Sequence, residues 1–176
     1  MEAPGVNRVL GTLINIVRSF PFIILIVVLL PLSRLIVGTT LGSTAAIVPL
    51  AIGAAPFLAR IIENALKEVA LGKLEAAKAM GASPVEIILK VLLPEALPSL
   101  IRGATLSVIT IMGFTAVAGA IGAGGLGSLA IRFGYMRFRE DIMFFTVAIL
   151  ILMVQAVQWL GDGWAKSVNR KRFRFD

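Results

Sequence analysis

The chain contains no cysteine and no histidine. That excludes disulfide bonds, thiolate or imidazole metal sites, haem ligation through His and any His-dependent triad. Charge is scarce too. Asp, Glu, Lys and Arg make up 15% of the 176 residues, against about 25% in a typical soluble domain. By contrast 58% of the residues are hydrophobic, and the mean hydropathy is +0.94. Such a chain cannot cover itself with polar surface, so the composition identifies an integral membrane protein limited by the bilayer rather than by the size of a core. The formal net charge of +7 would suggest nucleic acid in a soluble protein; here its distribution gives it another meaning, and no nucleic-acid partner is implied.

Charged residues cut the sequence into uncharged runs: 15 residues over 19–33, 25 over 35–59, 29 over 103–131 and 20 over 142–161. A spanning helix needs about 20 mostly apolar residues, because unsatisfied backbone groups are too costly in lipid. Three runs suffice outright, and the first requires Arg18 or Arg34 to snorkel toward the headgroups. The expected fold is all-α: one transmembrane domain over residues 1–176, with four spans near 18–37, 43–66, 99–124 and 141–163 and a polar loop over 67–98. The opening Met-Glu-Ala-Pro-Gly lacks the basic start and apolar stretch of a signal peptide. With four spans, the termini and the central loop share a side that holds 13 Lys and Arg, whereas the other side holds Arg34, Arg132, Arg137 and Arg139. The positive-inside rule places the termini and loop in the cytoplasm, with the basic tail 169–175 as a topology anchor.

No Asp, Glu, Lys or Arg interrupts these runs. Ion- and proton-coupled carriers need an intramembrane ionisable group, as does a membrane-embedded enzyme working by acid–base chemistry. Energy for any uphill movement must therefore enter from outside the bilayer. The spans instead carry small-residue stripes, Ala51–Ala55–Ala59 and Ala116–Ala120–Gly124, which let helices approach closely. Pro21, Pro31, Pro49 and Pro56 add kinks or ends. The stretch Gly122-Ala-Gly124-Gly-Leu-Gly127 matches G-x-G-x-x-G, but a dinucleotide site needs a strand before the glycines and a βαβ context. An apolar helix precedes these, so they are expected to break the outer end of the third span into a tight turn or re-entrant stretch. No G-x-x-x-x-G-K-[ST] is present, so the chain has no P-loop of its own.

The loop is the informative part. Residues 60–80 form a segment with Ile61, Ile62, Ala65, Leu66, Val69 and Leu74 as its apolar positions and a Glu63–Lys67 pair on its polar face. Gly72 is the expected bend and Gly81 the left-handed cap. Ser83-Pro84-Val85-Glu86 supplies an N-cap, a proline at the first helical position and a capping-box Glu. A second helix is expected over 84–92, carrying a Glu86–Lys90 pair and ending at Pro94. Three readings are compatible with this pattern: an interfacial amphipathic hairpin, an ordinary connector, or a docking element for a cytoplasmic partner. The specified corner exceeds what a connector needs.

Glu75-Ala76-Ala77, three residues, Gly81, nine residues and Val91-Leu92-Leu93-Pro94 resemble the E-A-A-x3-G-x9-I-x-L-P motif of ABC-importer permease subunits, with Val91 in place of Ile. Residues 18–25, 53–60, 91–98 and 122–127 are similar to the permeases of methionine-import systems, and the resemblance extends from about Arg8 to about Lys166. It implies a five-span family fold, of which this chain, beginning after the first family helix, holds four. It also implies a homodimeric translocation pathway and a substrate-binding protein on the outer face. ATP would be bound by a separate ATPase subunit, so this chain would be neither catalytic nor cofactor-binding.

The coupling loop would comprise Glu75, Ala76, Ala77, Ala79, Met80, Gly81, Ala82, Ser83, Pro84 and Glu86, with Leu93 and Pro94 closing the motif. In that reading Ala76, Ala77 and Ala79 permit close approach to the ATPase, Gly81 sets the corner, and Ser83 with Glu86 fixes the second helix. Glu75 offers a charge to the partner or favours its own helix. A different small solute, such as a quaternary amine or phosphonate, and a non-transporting scaffold subunit are the alternatives.

Overall fold

The computed structural model describes residues 4–172. Residues 1–3 and 173–176, the latter including the end of the basic tail, lie outside the described residues, as do the side chains at 4, 6, 7, 13, 120, 121 and 170–172. Among the described residues there is no strand. Eight α-helices follow one another: α1 Pro4–Ser19, α2 Phe22–Val37, α3 Gly42–Lys67, α4 Leu71–Ala79, α5 Pro84–Glu86, α6 Leu93–Ala118, α7 Gly125–Leu129 and α8 Glu140–Arg172. π-helical stretches at Ile87–Leu92, Gly119–Ala123 and Ala130–Tyr135 link several of them.

Among the described residues, three helices are long and apolar enough to cross a bilayer: Gly42–Lys67, Pro84–Ala118 and Glu140–Asn169. The expected first span, 18–37, is not one continuous helix. Arg18 belongs to the last turn of α1, and α2 begins only after Pro21, whose extended backbone caps it. Pro21 has no N–H to donate and disfavours helical geometry at Phe20, which is where the chain breaks. At 16 residues α2 is too short to span alone. It reaches the required length only with Arg8–Ser19, from which it is bent by 109°.

α3 covers the stretch 43–66 with one further residue at each end, and Pro49 and Pro56 both lie inside it. The helix expected to stop at Pro94 does not stop. α5 passes through the π-helical stretch into α6, with Leu93 N–H bonded to the Ile88 carbonyl five residues back. That wider turn shifts the ladder just where Pro94 lacks a donor and where its ring would otherwise press on the preceding turn. The expected bend at Gly72 is also displaced. α3 ends at Lys67, and Glu68–Ala70 make the break, where the buried Val69, 8% exposed, pins the chain inward; Gly72 lies in the first turn of α4. The fourth helix runs on to Arg172 rather than 163, because no proline or glycine after Gly163 interrupts its Ala- and Lys-containing continuation.

The chain forms two compact units, Met1–Phe57 with Ile109–Val154, and Leu58–Val108 with Gln155–Asp176. In the first, Ile26, Ala46 and Ala118 form a buried core, covered by Phe22, Leu50, Val117 and Ala123. The Phe22 and Phe114 rings stack with centroids 4.0 Å apart. Ser33, fully buried, returns its hydroxyl hydrogen to the Leu29 carbonyl at 3.2 Å and so leaves no donor unpaired in an apolar setting. In the second unit, Ala65, Ala96, Ile101 and Ala165 are buried. There helices meet backbone to side chain: a Cβ at Gly103 would overlap Ile61, and one at Gly161 would overlap Thr105. Close approach through small residues is how helices associate when lipid removes the hydrophobic drive between them. Within the single chain the Ala51–Ala55 part of the expected stripe is not covered by another helix, both alanines being exposed.

Candidate coupling loop

α4 ends in a Schellman motif. Gly81 adopts φ +81°, its N–H bonds to the Lys78 carbonyl at 2.9 Å, and the Ala82 N–H reaches back to the Ala77 carbonyl at 3.1 Å. Those two bonds satisfy carbonyls that the helix would otherwise leave open, and the left-handed conformation they need is one that a side chain penalises. The chain turns at once into the next cap. Ser83 Oγ accepts from the Glu86 backbone N–H at 3.3 Å, and Glu86 Oε2 accepts from the Ser83 backbone N–H at 3.0 Å. This is the reciprocal capping box expected from the sequence. Pro84, at the first helical position, needs no donor there.

Glu86 is the electrostatic centre of the corner. Lys90 Nζ donates to its Oε1 at 2.9 Å, and the Ser83 hydroxyl donates to Oε2 at 2.9 Å. The Lys90 hydrogen bond foremost, then the Ser83 backbone and hydroxyl donors, hold the Glu86 carboxyl down to about 2. The box therefore stays charged throughout the physiological range.

The loop is anchored from behind. Lys73 Nζ reaches Glu95 at 2.7 Å, tying α4 to the start of α6, and the Ser99 hydroxyl donates to Glu68. Ala77, 3% exposed, faces the protein's own packing rather than the outside, so of the three alanines only Ala76 and Ala79 are available at the surface. Met80, at the tip, is 82% exposed. Leu71, Val85 and Leu89 are exposed apolar side chains on either side of it. Glu75, Gly81, Ser83 and Pro84 are exposed, Ala82 and Glu86 are half-buried, and Leu93 and Pro94 lie exposed on the continuous helix beyond. The sequence brought the corner together correctly but missed the Lys73–Glu95 anchor, whose partners stand 22 positions apart. Opposite charges flanking the motif were its only sequence trace. The result is a stiff corner with Met80 at its tip and the exposed charges of Glu75 and Lys78 on the helix before it.

The glycine stretch at the other end of the Pro84–Ala118 helix is broken as expected. Gly122, Gly124 and Gly125 all have positive φ, and the chain doubles back so closely that Gly127 rests on Ala116 and Gly119 on Ser128 without room for a Cβ. No strand adjoins it, so the nucleotide reading of G-x-G-x-x-G is excluded on geometry as well as on pattern.

A helical membrane chain with this loop is the architecture of a transport-system permease. The chain belongs to the family of binding-protein-dependent transport system inner membrane components, whose model matches residues 4–174. The "Probable D-methionine transport system permease protein MetI" of Vibrio cholerae is 51% identical over 171 residues, covering 97% of this chain and 76% of that protein. The methionine import system permease protein MetP of Bacillus subtilis is 49% identical over 167 residues, 95% of this chain and 75% of the relative. A solved structure of inward-facing conformations of the MetNI methionine ABC transporter superposes with a TM-score of 0.91 at 46% identity, covering 96% of this chain and 78% of that one.

Proposed function

We propose that the chain is the permease subunit of an ATP-driven importer of methionine or a closely related amino acid. The observation that carries the reading is the coincidence, at one place, of the E-A-A-x3-G spacing with an exposed corner stiffened by a Schellman motif and a capping box. Methionine is favoured by the relatives just described, named for transport of methionine or D-methionine. Two copies form the pathway, each seating Met80 and its exposed neighbours in a cleft of a separate ATPase subunit that binds and hydrolyses ATP; this chain itself catalyses nothing. ATP-driven closure of the ATPase pair moves the two corners and rocks the helices open to the outside, where a substrate-binding protein delivers its ligand. The two termini and the loop lie in the cytoplasm, in keeping with the charge asymmetry.

The test is co-purification from the native host in mild detergent, with Gly81→Asp as control, followed by methionine uptake. An ATPase retained by the wild type and lost by the variant is expected. Normal uptake by Gly81→Asp would overturn the docking role, and a transported solute other than methionine would overturn the substrate.

A further inference from the structure

α6 and α8 are drawn together in the second unit where Gly161 presses on Thr105. One turn back along α6 stands Arg102, and Asp162 follows Gly161 on α8. These two, with Ala165, Lys166 and Asn169, line a cavity of about 360 Å³. Ala165, 2% exposed, is its most deeply buried wall. Asp162 already accepts a hydrogen bond from Gln158 Nε2 at 3.0 Å. Among the described residues the ion pairs are Arg60–Glu63, Lys67–Glu63, Lys73–Glu95, Lys90–Glu86 and Arg139–Asp141, and neither Arg102 nor Lys166 takes part in one. The cavity lining thus carries two cations, neither in an ion pair, one carboxylate and one amide, a net charge of +1.

Its depth relative to the bilayer follows from three features. Arg102 is the charge that closes the uncharged run 103–131, and Asp162 the one that closes 142–161. The cavity therefore collects the first charges of two membrane-crossing runs, which is where the headgroup layer begins. Both tryptophans of the chain, Trp159 and Trp164, flank Asp162 and are 80% and 66% exposed, as residues of an interfacial aromatic belt are. This end of the two runs is also the side on which Lys and Arg are concentrated.

We propose that this cavity binds the headgroup phosphate of an anionic phospholipid in the leaflet on the basic side. Arg102 and Lys166 hold the phosphate oxygens, Asn169 lends its amide, and the acyl chains leave along exposed apolar side chains of α8 such as Leu160 and Trp164. The charge balance selects the ligand. A phosphodiester carries one negative charge and matches +1, whereas a free phosphate or phosphomonoester carries about −1.5 to −2 and meets Asp162 as a repelling neighbour. A specific lipid at this place would brace the α6–α8 crossing. The inference needs only that the chain is embedded in a membrane, and so stands apart from its role in transport.

The experiment is native mass spectrometry of the full chain, purified in detergent containing equal phosphatidylglycerol and phosphatidylcholine. The wild type retains phosphatidylglycerol preferentially. Arg102→Gln and Lys166→Gln each reduce that preference about fivefold, the scale set by one cation at an anionic membrane surface; Asp162→Asn, which raises the local charge, increases it. Lys90→Gln, with the same loss of charge elsewhere, leaves it unchanged. Equal retention of the two lipids, an equal loss in Lys90→Gln, or displacement of the lipid by millimolar inorganic phosphate would each overturn the proposal. Because Asp162→Asn acts in the opposite direction, poor folding of the cation variants cannot mimic the expected pattern.

Discussion

Two corners in this chain are built on glycine, and they are held in opposite ways. At Gly81 no atom beyond the adjacent chain lies within 4 Å of where a Cβ would stand, and the turn is fixed by hydrogen bonds from backbone and Ser83 to carbonyls and Glu86. At the 119–127 stretch the chain folds back on itself until Gly119 and Gly127 touch backbone, so close steric contact shapes the turn. The first corner is stiff yet open on its outer side. The second has spent its space internally and leaves no room for a side chain. Gly81 is therefore constrained by its backbone conformation alone, and Gly127 by the space around it.

The largest effect is expected at the packed corner. Gly127→Ala would drive a methyl group into the Ala116 backbone, at a cost of about 3 kcal/mol, and its thermal unfolding in detergent should begin well below that of the wild type. At the open corner, Gly81→Val forces a β-branched residue into a left-handed conformation at about 1–2 kcal/mol. Folded protein should persist while methionine uptake falls at least tenfold. Gly81→Asn, which tolerates that conformation, should restore most of the uptake. If Gly81→Val and Gly127→Ala lowered the unfolding temperature alike, the contrast between the corners would collapse.

A smaller change is expected from Ser83→Ala, which removes a cap of about 1 kcal/mol. Amide exchange at Glu86, whose N–H the Ser83 hydroxyl accepts, should accelerate roughly fivefold, with little change elsewhere. The smallest effect concerns pH. The Glu86 carboxyl lies below its ordinary value of 4.5, at about 2. Its contribution is therefore complete above pH 4.5 and is lost only as pH falls through about 2. Exchange at the corner, corrected for the intrinsic chemical rate, should be flat between pH 5 and 8; a rise in protection on acidification across that interval would contradict the capping geometry.

The corner was legible in the sequence because each device in it is local: Gly81, Ser83, Pro84 and Glu86 act within one or two turns of themselves. The Glu63–Lys67 and Glu86–Lys90 pairs were legible for the same reason. What escaped depended on backbone choices that propensity opposes or on partners far along the chain. Pro94 argues for a helix end, and only the π-helical turn before it lets α6 run through. Gly72 is the weaker helix former, yet the chain breaks at 68–70, where Val69 is captured by packing. Arg18 and Pro21 lie three positions apart, and charge alone could not show that the helix breaks between them. The glycine-rich break could be anticipated, but not which glycines touch which neighbours, because those contacts exist only after the chain has folded back.

The fit of Gly161 against Thr105, and of Gly103 against Ile61, has a consequence for how the chain can change over time. Each is a pair of complementary volumes, so a methyl group gained on one side must be surrendered on the other. Neither partner is free to drift alone. Among descendants of this chain, an alanine at position 161 is expected to travel with a smaller residue at 105, and an alanine at 103 with a smaller residue at 61, as linked changes rather than independent ones.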